Sequence, residues 1–138
     1  MRLTIDSHDQ HHAWTWASVV FAVGAVVLTV FGLPPIDIHG PLHYAGIMDP
    51  FCGGTRATLA LARGDLATGF HYNPGVPFLA VAMLAGIVRG AVGVVTGRWV
   101  TVRWRRLVLV VAVLSVVALE VNQQLHAELL MASGIQTG

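Results

Sequence analysis

The residues with chemistry to offer gather in one stretch, Asp49-Pro50-Phe51-Cys52-Gly53-Gly54-Thr55-Arg56, and again one helix later at Arg63-Gly64-Asp65. Paired glycines open a turn and Thr55 is placed to cap the helix that follows. Backbone N–H groups, a hydroxyl and the Arg56 guanidinium then converge on one spot. Such a group of donors binds an anion, a phosphate or a carboxylate, and at a membrane surface the available anion is a lipid headgroup. The same donors can instead staple the fold, with Arg56 paired to Asp49, Asp65 or Glu120. Cys52 is the only cysteine, so an intrachain disulfide is impossible. A lone thiol in a tight glycine turn reads as a small buried residue; a nucleophile would need a base such as His39, His43 or His71 beside it. Asp6, His8, Asp9, His11 and His12 carry metal-capable atoms in a spacing that matches no closed site, and a short exposed tail is expected there. No nucleophile–base–orienter set, metal signature or nucleotide loop can be read from the chain, so no catalytic residue, metal or cofactor is assigned.

The elements that must position these residues follow from the punctuation. The run ATLALAR is a short apolar helix that Gly64 is placed to end, and seven residues at about 100° each bring Arg56 and Arg63 back to nearly one face. Asp65 can cap a second short helix, LATGFHY, and Asn73-Pro74 then opens a longer one, with Asn73 as its N-cap. Neither short helix can cross a bilayer, so the pair forms an interfacial or re-entrant hairpin. Residues 34–50 ahead of it, with His39, His43 and Tyr44, read as irregular chain on the membrane surface.

On each side lie runs that can cross. Ala13 to Leu33 carries no formal charge and is long enough to traverse roughly 30 Å of hydrocarbon, with Trp14 and Trp16 at its start and Pro34-Pro35 after it. It exceeds a signal-peptide core, follows Asp6 and Asp9, and is succeeded by no small-x-small cleavage site. The second span covers 74–96 with one charge, Arg89; the third covers 104–125 and is interrupted by Glu120. The expected whole is a single membrane domain over 1–138, all-α, with three transmembrane helices and the hairpin in an external segment, 34–73. Arg89 is expected to snorkel toward the headgroups on its own side. Glu120, Gln123 and Gln124 form a polar stripe, from which Glu120 is expected to reach Arg56 or Arg63. Gly86-x-x-x-Gly90 offers a small-residue face for packing within the chain or in a homodimer.

The run PFCGGTRATLALARGDLATGFHYNP resembles the signature of a bacterial family, domain of unknown function 2752, whose pattern is roughly C-P-x-C-G-x-T-R, a leucine-rich helix, a G-D pair and an N-P that begins a span. Pro50, Cys52, Gly53, Thr55, Arg56, Gly64, Asp65, Asn73 and Pro74 match in order. The family's first cysteine is Asp49 here, so no C-x-x-C disulfide, dithiol relay or two-cysteine metal clamp carries over. The resemblance implies a small polytopic membrane protein and no established activity.

Composition sets the class independently. Of 138 residues 55% are hydrophobic and only 11% charged, and the mean hydropathy is +0.69. This excludes a disordered chain and an ordinary soluble core. All eight basic residues are arginines, against seven carboxylates, so no basic surface exists for nucleic acid. Arg2, Arg98, Arg103, Arg105 and Arg106 on one side, against Arg56 and Arg63 on the other, favour a cytoplasmic N-terminus and an external C-terminus in a bacterial inner membrane. The function expected is that of a non-enzymatic membrane module acting through a lipid or protein partner, or as a homo-oligomer. The alternative is a membrane-embedded enzyme or carrier for an anionic lipid-linked substrate, built on Arg56, Arg63, Asp65 and Glu120.

Overall fold

The computed structural model describes residues 2–33, 47, 49–103 and 106–128. Its elements run in chain order β1 (Arg2–Asp6), α1 (His12–Phe31), α2 (Gly54–Ala62), α3 (Leu66–Tyr72), α4 (Gly75–Thr96), β2 (Trp99–Arg103) and α5 (Arg106–Leu125). The stretches His12–Phe31, Gly75–Thr96 and Val108–Leu125 are helices long and apolar enough to cross a membrane. In hydrocarbon every backbone group must be satisfied within the segment, so uninterrupted Val, Ala and Leu runs fold as helices despite their β-branched content. The chain is thus a mostly helical, membrane-embedded protein. His39, His43 and Tyr44, for which surface positions are expected, lie outside the described residues.

α4 is the central helix: 22% of its apolar window is buried within the chain, against 6% for α1 and for α5. Its partner is α1, and small residues set the approach. Gly86, Gly90 and Gly93 fall at i, i+4 and i+7, one face of the helix. A Cβ on Gly86 would collide with Ser18 Oγ, one on Gly90 would lie 2.9 Å from Thr15 Cγ2, and one on Gly93 would enter the Trp99 ring. The Gly86-x-x-x-Gly90 face is therefore used within the chain. Trp14 Nε1 donates to Ala82 O (3.1 Å), and Ser18, fully buried, donates to Trp14 O (2.8 Å). α1 closes at Gly32, whose φ of +76° lets its N–H reach Leu28 O (2.9 Å), so the helix ends before Pro34.

The amino-terminal segment is not a free tail. β1 pairs antiparallel with β2 in the register Arg2↔Arg103, Thr4↔Thr101 and Asp6↔Trp99, forming a two-stranded ribbon at the end of α4. Gly97, at φ +66°, ends α4 and turns the chain so that Trp99 lies back on Gly93. At the other end of α4, about 33 Å away for 22 helical residues, the α2–α3 hairpin packs on α4, and α2 also packs on α1. α5 touches that end through Leu119 beside Gly75 and through Gln123, while Leu109 to Val117 is largely exposed.

Candidate functional site

The hairpin end assembles most of the chemically marked residues. Asp49 builds the turn: its carboxylate accepts from Phe51 N–H (2.7 Å) and its carbonyl from Cys52 N–H (3.0 Å). Gly53, at φ +73°, is the N-cap of α2, and its carbonyl accepts from Ala57 N–H (2.9 Å). Thr55 therefore sits inside the first turn and does not cap the helix. The other end of α2 closes as the sequence indicates. Gly64, at φ +83°, donates to Leu61 O (2.9 Å) and Asp65 N–H donates to Ala60 O (2.9 Å), the paired bonds of a Schellman motif. Asp65 then caps α3, accepting from Thr68 N–H at 3.0 Å. The Thr68 hydrogen bonds hold its carboxyl below the usual value.

Asn73 locks the hairpin to the turn. It is 1% exposed; its amide donates to Pro50 O and Cys52 O (3.0 Å each), and its Oδ1 accepts from Gly75 N–H (2.9 Å). One side chain thus ties the turn before α2 to the start of α4, because an amide donates and accepts at once. Cys52 is buried beneath this clasp against Tyr72 and Ala127. The Arg56 guanidinium lies over the Tyr72 ring, 5.8 Å from its centroid. Gln123, also 1% exposed, donates to Tyr72 O (3.4 Å), so the polar stripe of α5 does turn toward the hairpin.

Of the residues singled out by sequence, Asp49, Cys52, Gly53, Gly54, Arg56 and Asn73 come together. Arg63 and Asp65 occupy the exposed tip. Glu120 is exposed and makes no ion pair with Arg56 or Arg63 among the described residues; Gln123, one turn further on, makes the contact instead. Tyr72 was not singled out, and its only signal is its place directly before Asn73-Pro74.

A second polar cluster sits at the ribbon end and overturns the expectation for Arg89. The guanidinium does not snorkel to the headgroups of its own side but stays buried. It donates to Asp9 Oδ1 (2.7 Å), Thr15 Oγ1 (3.1 Å) and Val100 O, and its Cζ lies 5.5 Å from the Trp99 ring centroid and 5.9 Å from that of Trp14. Asp9 also accepts from Thr15 Oγ1 and His11 N–H (2.8 Å each), while Val102 N–H donates to His11 Nε2 (3.2 Å). Burial is the largest single influence on the Asp9 carboxyl and raises its pKa. The hydrogen bonds from Arg89, Thr15 and His11, with the Arg89 charge, outweigh it and leave the value below normal. Among the described residues no three His, Cys, Asp or Glu side chains converge as a metal-binding group.

A central glycine-faced helix, a capped hairpin at one end and a ribbon with a buried ion pair at the other define a small polytopic helical membrane protein. The model of the family described as "Protein of unknown function (DUF2752)" matches residues 42–88, and this match supports the assignment of the chain to that family. The matched stretch takes in the Asp49–Arg56 turn, the hairpin and most of α4. It leaves out Asp9, Arg89 and the ribbon. No curated protein and no solved structure matches the chain.

Proposed function

We propose that the chain is a non-enzymatic membrane module that docks a partner, protein or lipid, on the α2–α3 hairpin. The observation that carries this reading is how the hairpin's polar groups are used. The Asp49, Asp65 and Asn73 side chains are all engaged in closing its turns, which favours a rigid platform over a reacting centre. Around that frame Phe51, Leu66 and Phe70 stay 72%, 62% and 44% exposed, with Arg63 on the same hairpin. An aromatic and cationic rim of this kind suits a partner at the membrane–water boundary. The exposed Arg98, Arg103 and Arg106 at the ribbon end support an orientation with the ribbon cytoplasmic and the hairpin external, in a bacterial cytoplasmic membrane.

Native mass spectrometry of gently extracted protein, wild type beside Arg56→Ala, tests the docking. A copurifying protein, or a defined lipid lost in the variant, supports it; the absence of both overturns it. Orientation is read from Cys52. In intact cells a membrane-impermeant maleimide should label this cysteine once Asn73→Ala has loosened the clasp above it. Labelling of that variant only after lysis reverses the orientation.

A further inference from the structure

The geometry points to a binding groove for an anionic phospholipid at the ribbon end, between β1, β2 and the last turns of α4. It does not rest on the hairpin reading. The cross-strand pair Ile5↔Val100 lies on one face of the ribbon, and Val92 and Thr96 stand one turn apart on α4. Together with Arg98 these residues line an open groove of about 440 Å³. Its walls are mostly apolar, and Arg98 is the only charged residue among the described ones that line it.

The local chain explains why that charge is available. Thr96 donates its hydroxyl to Val92 O (2.7 Å) and accepts from Arg98 N–H (3.2 Å), fixing the Arg98 backbone beyond Gly97. The guanidinium is exposed and has no side-chain partner among the described residues. The two nearby carboxylates do not compete. Asp9 is held by Arg89, and Asp6 belongs to the opposite ribbon face, paired with Trp99. A guanidinium in this setting pairs bidentately with a phosphate.

The apolar part continues in the direction an acyl chain would take. Leu84, Val88 and Val92 are 60%, 55% and 45% exposed and follow one i, i+4 ridge of α4. The ridge leads from the groove toward the middle of the span over about 12 Å at 1.5 Å per residue. A phosphate on Arg98 and an acyl chain along this ridge satisfy both parts of the surface. A soluble anion uses only the first.

The test is competitive lipid retention by the full chain in detergent. Equal amounts of a phosphatidylglycerol and the phosphatidylcholine of the same acyl chains are added, and retained lipid is read by native mass spectrometry. Wild type should keep the phosphatidylglycerol preferentially. Arg98→Gln should lose that preference at least tenfold, whereas Arg103→Gln, the same charge change outside the groove, should lose no more than about fivefold, the factor for one arginine near an anionic surface. Val92→Trp fills the groove with every charge in place and should expel the lipid. Equal uptake of both lipids by wild type, an Arg98 loss no larger than the Arg103 loss, or undiminished retention by Val92→Trp each overturns the inference.

Discussion

Replacing Asp9 by Asn leaves the Arg89 guanidinium inside the molecule without its counter-charge, and the structure sets the size of the effect. The Nη2 to Oδ1 distance is 2.7 Å, and the Arg89 and Asp9 side chains are 5% and 15% exposed. Stripping one partner from a fully buried pair costs about 3–5 kcal/mol. Here Arg89 keeps Val100 O, Thr15 Oγ1 and two indole faces, and Asn keeps one acceptor oxygen for Thr15 or His11, so the expected loss is about 2 kcal/mol, close to one charge-assisted hydrogen bond. The double change Asp9→Asn/Arg89→Met removes the stranded charge and should be more stable than Asp9→Asn alone. Trp14 and Trp99 flank the guanidinium, so unfolding in mild detergent can be followed by their fluorescence. The pH dependence has a definite sign. Because the folded Asp9 pKa is depressed, its stabilisation is complete above the ordinary carboxylate range and fades as pH falls through the lowered folded value. Asp9→Asn should abolish that acid-side loss. A variant as stable as wild type, or a double variant less stable than Asp9→Asn, would refute the reasoning.

The other predictions concern packing and caps. Gly93→Ala drives a methyl into the Trp99 ring and should destabilise by about 1–3 kcal/mol, whereas Gly24→Ala on α1 meets nothing within 4 Å and should be neutral or stabilise by roughly 0.5–1 kcal/mol through helix propensity; thermal midpoints in detergent compare the two. Pro74, not Asn73 as expected, is the N-cap of α4; Asn73→Ala removes two donated hydrogen bonds and the one its Oδ1 accepts from Gly75 N–H, with an expected cost of about 2–3 kcal/mol, and should speed maleimide labelling of Cys52 in detergent; unchanged labelling would show that the clasp does not cover the thiol. Asp65→Ala should accelerate amide exchange at Thr68. In wild type the same acceleration should appear only once pH falls below the lowered Asp65 value, since that carboxyl caps as an anion.

What the sequence reveals and what it hides divide along chain separation. The hairpin is legible because its signals are local: Gly64 must stop α2, Asp65 immediately precedes the helix it caps, and Asn73-Pro74 marks the entry to α4. The spans are legible because charge is scarce in them, with one residue each in the second and third, Arg89 and Glu120. The ribbon is not, since β1 and β2 are five-residue strands paired across about two thirds of the chain, and nothing in Arg2–Asp6 alone distinguishes a strand from a tail. The same blindness displaced Arg89. With Asp9 taken as part of a free tail, outward snorkelling was its best available escape from hydrocarbon. Glu120 failed for a different reason: helical spacing placed the polar stripe correctly, but a neutral amide, Gln123, is cheaper to bury than a carboxylate and took the inward position.

The ribbon also imposes an order on assembly. Residues 2–6 are made first, yet their hydrogen-bonding partners at 99–103 emerge only after two spans have been synthesised, and Asp9 must wait equally for Arg89. Closing so long a loop costs more conformational entropy than closing the turns of the hairpin, whose caps are local. Arg89, 80 residues from Asp9 in the chain, thus gains its counter-charge from the tertiary fold alone.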